Sequence, residues 1–161
     1  MKKINDMTEI SNKITYHRYM FSKDQSEALF KDITIPEYIA LEEIKGSIEN
    51  GKVYLKDISE NMKISISKAS KLAAGLKEKG LVEWSHDGNG SEGTYISFTD
   101  SGISAMETQE KILKNYYGRV AEKFGKERLI TLLTLMSELE NVMSTELEDM
   151  GVKAVYDRTD I

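Results

Sequence analysis

The chain has 161 residues, 40% of them hydrophobic and 30% charged, with a formal net charge of −5 at pH 7 and no cysteine. This length suits one domain, or one domain with added helices, and the apolar content is enough for a core, so a disordered chain is excluded. No run of about 18 apolar residues is present to span a membrane, the opening MKKINDMTEI has no signal-peptide core, and the missing thiols exclude disulfides, thiolate metal sites and thiol-based oxidation sensing. A cytoplasmic protein with no membrane partner is expected.

In chain order, Ile4, Met7, Ile10, Ile14, His17 and Phe21 recur every three or four residues and predict a long helix with an apolar seam. Such a seam needs a partner. His17 lies on it, either satisfied by one hydrogen bond at an interface or acting as a pH or ligand sensor. Thr34 and Glu37 have capping-box spacing for a second helix, with Tyr38, Leu41 and Ile48 facing inward and Gly51 ending the run.

Leu55, Ile58 and Met62 then mark a short helix. Ser65 can cap the next, whose inner stripe is Ala69, Leu72, Ala73 and Leu76 and whose stop is Gly80. At 100° per residue, the opposite direction holds Ser67, Lys71 and Ala74, flanked by Lys68 and Ser70. A helix lying in the major groove of DNA needs short side chains, so that its backbone can approach base edges, and donors that reach bases or phosphates. Ser67, Ser70 and Lys71 supply both, although an ordinary solvated helix face has a similar composition. Leu81–Ser85 and Thr94–Phe98 have strand character around the glycine-rich loop His86–Gly93, predicting a hairpin with a long tip. Thr99 caps a helix with the stripe Ile103, Met106, Leu113, Tyr117, Val120 and Phe124, and Gly125 breaks it.

The last predicted helix, Arg128–Met150, is apolar on more than one side. Leu129, Leu132, Met136, Met143, Leu147 and Met150 follow one face, with Ile130, Leu135 and Val142 off it. A second subunit is the simplest cover, ahead of a fold-back onto the chain's own first helix. Val152–Ile161 reads as a loosely held polar tail.

Three segments carry a resemblance: TIPEY (Thr34–Tyr38), ISISKASKLAAGLKEKGLV (Ile64–Val82) and SFTDSG (Ser97–Gly102). Their order and spacing resemble the multiple-antibiotic-resistance regulator (MarR) family of bacterial transcription factors across nearly the whole chain. The fold class expected is mainly α with a small β-hairpin wing (α+β), a winged helix-turn-helix flanked by dimerisation helices. The expected divisions are an N-terminal dimerisation helix over 1–33, the DNA-binding domain over 34–100, C-terminal dimerisation helices over 101–151 and a tail over 152–161. The resemblance implies a homodimeric, ligand-responsive regulator, commonly a repressor, and a twofold dimer implies a pseudo-palindromic site on double-stranded DNA. It also implies a small aromatic or phenolic effector between the dimer helices and the winged lobe, where Tyr16, Tyr19, Tyr38, Tyr116 and Tyr117 are candidates whose other role is core packing.

Charge sharpens the DNA reading. Between Lys52 and Gly80, seven lysines (52, 56, 63, 68, 71, 77, 79) stand against three acids (Asp57, Glu60, Glu78), a local net of +4. From Leu81 to Asp100 there are four acids and no lysine or arginine. In the family resembled, the wing commonly carries an aspartate and an arginine that enters the minor groove; here only Asp87 matches, and His86 is the sole possible cation in the loop. Either the wing stays off the DNA and the helix supplies the affinity, or DNA binding is weak and a protein partner takes its place. The expected DNA contacts are Ser65, Ser67, Lys68, Ser70, Lys71, Lys56 and His86. Neither histidine has metal-ligand spacing, and GNGSEG (Gly88–Gly93) lacks the lysine and helix of a phosphate-cradling loop. No enzyme activity, metal or cofactor is expected.

Overall fold

The computed structural model describes residues 6–23, 25–47, 51–88 and 90–152, which fall into two compact units divided after Thr34. The smaller unit holds α1 (Met7–Ser22) and a 3₁₀ turn (Gln25–Leu29). Asp6 starts α1, its carboxylate accepting from the Thr8 amide at 3.2 Å, which satisfies one of the open donors of the first turn. The predicted seam is present, with Met7, Ile14 and Phe21 exposed and Ile10 half-buried, while Ile4 lies outside the described residues. His17 meets Tyr16 edge-on at 5.3 Å.

The larger unit runs α2 (Ile35–Gly46), β1 (Lys52–Tyr54), α3 (Leu55–Met62), α4 (Ile66–Glu78), β2 (Val82–His86), β3 (Thr94–Phe98), α5 (Asp100–Phe124) and α6 (Lys126–Asp149). The order is that of a winged helix. Its core joins residues of the predicted inner faces, Leu41 of α2, Ile58 of α3 and Leu76 of α4, to Ile44 of α2, Val82 of β2 and Ile96 of β3, and these six are the large side chains with almost no exposure. Each such burial stabilises the fold by about 1.5–3 kcal/mol.

Three expectations need correction. The hairpin is a three-stranded antiparallel sheet of order β1-β3-β2, because Lys52, Val53 and Tyr54 pair with Ser97, Ile96 and Tyr95 of β3. Three residues running straight into a helix are too few to leave an alternating signature. Second, α2 stops at Gly46 instead of Gly51, where glycine is a poor helix former and the Ser47 hydroxyl donates to the Ile44 carbonyl at 2.8 Å; Ile48 lies outside the described residues. Third, His86 belongs to β2, opposite Thr94, instead of to the loop.

The junction after the wing explains the SFTDSG segment. Thr99 caps α5 by accepting from the Gly102 amide at 3.0 Å, and its hydroxyl donates to the Gly80 carbonyl at 2.6 Å. Its own amide donates to the Leu81 carbonyl at 3.1 Å. Gly102 presses against that same carbonyl, so closely that a Cβ there would overlap it. Farther along α5 only Met106 and Gln109 are buried, so of the predicted stripe Met106 alone is fully covered, while Ile103, Tyr117 and Phe124 are exposed. Gly125, at φ 102°, makes the predicted break. Within α6 no residue is buried, and Ile130, Leu135 and Val142 are 49%, 55% and 60% exposed. No helix among the described residues is long and apolar enough to cross a membrane, and the tail from residue 153 onward lies outside them.

Candidate nucleic-acid interface

The helix-turn-helix is formed by α3 and α4. Lys63 closes α3 in the left-handed conformation, φ 53°, and Ser59 holds the turn from both sides: its carbonyl accepts from the Ile64 amide at 3.0 Å and its hydroxyl donates to the Ile64 carbonyl at 2.6 Å. Ser65 caps α4, its hydroxyl oxygen accepting from the Lys68 amide at 3.1 Å. Ala69, Ala73 and Leu76 are buried as predicted, and Leu72 is half-buried. Ser67, Lys68, Lys71 and Ala74 are exposed and Ser70 half-buried. The first two turns of α4 therefore bring five of the seven predicted contact residues together on one helix, with small side chains between lysines.

Two contacts fix that helix, and neither was read from the sequence. The Trp84 indole N–H of β2 donates to the Ala73 carbonyl at 3.3 Å, tying the wing to the middle of α4. Lys79, just past the end of α4, donates to the nearly buried Glu37 of α2 at 2.7 Å. A Cβ on Gly75 would lie 3.4 Å from the same carboxyl group, in ordinary van der Waals contact with it. A lone Trp on the inward phase of a strand was the one available signal for the first contact; the second joins residues 42 positions apart.

The remaining two predicted contacts are engaged with the wing. Lys56 of α3 pairs with Glu92 at 4.0 Å, an exposed pair worth about 0–1 kcal/mol. His86 is engaged with its own loop: its Nδ1 accepts from the Gly88 amide at 2.9 Å and its Nε2 meets the Gly90 carbonyl. Asp87 accepts from the Tyr54 hydroxyl at 2.8 Å, and this bond pushes the phenol's pKa up. Lys52 lies over the rings of Tyr95 and Tyr54, 4.1 and 5.2 Å from their centroids. Of the seven lysines counted in the basic segment, Lys52, Lys56 and Lys79 are thus committed within the fold, and the acidic wing is closed onto β1 and α3.

The effector candidates divide between the two units. Tyr38 is buried in α2 and Tyr116 is exposed on α5, edge-on to Tyr117 at 4.9 Å. Tyr16 and Tyr19 are exposed on α1 of the smaller unit. Among the described residues no group of His, Cys, Asp or Glu is arranged to hold a metal ion.

No family model and no curated protein sequence matches the chain, but solved structures do. A mutant of MarR from E. coli in complex with operator DNA superposes with a TM-score of 0.68 at 15% identity, over 84% of this chain and 99% of that one. BpsR of Bordetella bronchiseptica, whose DNA binding is regulated by 6-hydroxynicotinic acid, gives 0.67 at 14% identity over 86% and 98% of the two chains. A MarR family regulator from Neisseria meningitidis gives 0.64 at 18% over 91% and 99%. Over 84–91% of its length the chain has the fold of these regulators.

Proposed function

We propose that the chain is a DNA-binding transcriptional regulator of the MarR type, acting in the cytoplasm as a homodimeric repressor on a pseudo-palindromic operator. The observation that carries this reading is the exposed face of α4: Ser67 and Lys71 between Lys68 and Ala74, capped by Ser65, on a helix that the wing and α2 hold in place. The likeness to a regulator solved on operator DNA supports it. In this reading residues 34–100 form the DNA-binding domain, and 1–33 with 101–151 the dimerisation helices, whose exposed Met7, Phe21, Leu135 and Val142 a second copy would cover. Ser65, Ser67, Lys68, Ser70 and Lys71 make the contacts; Lys56 adds a phosphate contact only by leaving Glu92, and His86 contributes little. A small aromatic effector acts by favouring a dimer geometry whose recognition helices miss the half-site spacing. No catalytic role is assigned.

Binding selection on fragmented genomic DNA tests the reading. A preferred fragment should emerge, bound with an affinity that falls steeply with salt as lysines displace counterions. Lys71→Glu should abolish that binding, and His86→Ala should barely change it. If the purified dimer preferred no genomic fragment over random DNA at low salt, the regulator reading would fail. The second reading, a protein-interaction module, draws on the acidic, self-engaged wing, and the same null result would favour it.

A further inference from the structure

Of the large hydrophobic side chains described in α3 and α4, Ile66 alone is exposed, at 53%, while Leu55, Ile58 and Leu76 are buried. The start of α4 does not need it for packing. Ile64, on the other side of the Ser65 cap, holds the position from which an apolar residue staples onto the fourth helical residue, here the buried Ala69, and Ile64 is half-buried. The two isoleucines that bracket the cap thus differ: one is drawn toward the lobe and the other projects from it.

Ile66 shares a face with the proposed DNA contacts. Ile66, Ser70 and Ala74 fall at i, i+4 and i+8, one row along the helix surface, beside the row that starts with Ser67 and Lys71. Ser67 and Ala74 are exposed and Ser70 half-buried, so both rows open away from the buried Ala69, Ala73 and Leu76. Lys68 and Lys71 make the surroundings positive, and α4 carries no acid before Glu78.

An exposed aliphatic side chain among lysines matches one element of the major groove. Of the four bases, thymine alone presents a methyl group there; the others present only acceptors and donors. A thymine methyl packed on Ile66 takes apolar surface of both partners out of water, whereas the cytosine amino group in its place would lose hydrogen bonds to water and gain none. Lysines on phosphates fix how the helix lies but carry no sequence information, and serine hydroxyls serve more than one base.

We propose that Ile66 is a specificity-determining residue of the DNA interface, which selects a thymine in each half-site through its C5-methyl group. This rests on the regulator reading above and gives α4 a base preference that its lysines and serines do not supply.

The test uses a duplex from the genomic selection, titrated with the full chain after its thymines are replaced one at a time by deoxyuridine, which lacks only the methyl group. At one thymine per half-site the replacement should weaken binding about fourfold, the effect of one buried methyl. Ile66→Ala should bind the original duplex at least as weakly and no longer distinguish thymine from deoxyuridine at that position. Its salt dependence should match that of the wild type, because no phosphate contact is lost. If no deoxyuridine position matters to the wild type, or if Ile66→Ala keeps the discrimination, the assignment is overturned while the regulator reading stands. If no duplex is ever selected, the regulator reading fails and the role of Ile66 falls with it.

Discussion

The winged lobe and the helix that ends the described chain are made of similar residues but use them differently. In the lobe, Leu41, Ile44, Ile58, Leu76, Val82 and Ile96 are buried almost completely, and side chains such as Trp84, Thr99 and Ser59 are spent on fixing backbone. In α6, leucines and isoleucine of the same kinds bury nothing fully, and Leu133, Leu135 and Val142 remain more than half exposed. Hydrophobic content alone therefore does not locate a core: the lobe is complete within one chain, and α6 has an apolar surface still to be covered. Under the proposed dimer, stability belongs to the first region and assembly to the second.

The sharpest way to break that division is a pair of truncations. Ile44→Ala should cost the lobe about 2–5 kcal/mol in urea unfolding, the transfer and cavity terms together. Leu135→Ala should change monomer stability by no more than about 0.5 kcal/mol yet weaken self-association in sedimentation equilibrium. If Leu135→Ala unfolded the chain as readily as Ile44→Ala, or left association untouched, the division would be wrong.

A smaller effect is expected where the two regions join. Gly102→Ala places a methyl group against the Leu81 carbonyl and should destabilise the lobe by about 1–3 kcal/mol through overpacking, read as a lower urea midpoint. An unchanged midpoint would mean that the start of α5 is not clamped.

A further effect is pH-dependent. The folded-state pKa of Tyr38, raised to about 12 from an ordinary 10, first by burial and then by Glu42 and Glu110, means that the folded chain holds its proton longer than the unfolded one. Stability is then full below pH 10 and falls as pH climbs from 10 to 12. The loss traceable to Tyr38 should be about 1–3 kcal/mol, measured as the difference in unfolding free energy between pH 9 and pH 11.5 for the wild type and Tyr38→Phe. Equal slopes for the two would place the phenol in a more hydrated setting.

What the sequence made legible was local. Ser65 and Thr99 cap helices as read, because a cap is decided within three residues. The α4 stripe and the break at Gly125 follow equally from short-range periodicity and backbone geometry. β1 escaped because its partners lie more than forty residues away and it is only three residues long. The basic segment was counted correctly as charge, but charge is not availability: Lys79 is drawn to Glu37 and Lys52 to two tyrosine rings, pairings that only the fold creates. The wing's lack of a cation was plain in its composition, whereas the partners of His86, Asp87 and Glu92 were not.

The clamp of Thr99 and Gly102 on residues 80 and 81 has a mechanical consequence. It leaves no slack between the end of α4 and the root of α5, so the two rotate as one piece. With 25 residues, α5 is about 37 Å long, and a tilt of roughly 5° at its root would carry its far end about 3 Å. Run in reverse, a displacement at the far end returns as a small rotation of α4, geared down about as a long crank turns a short shaft.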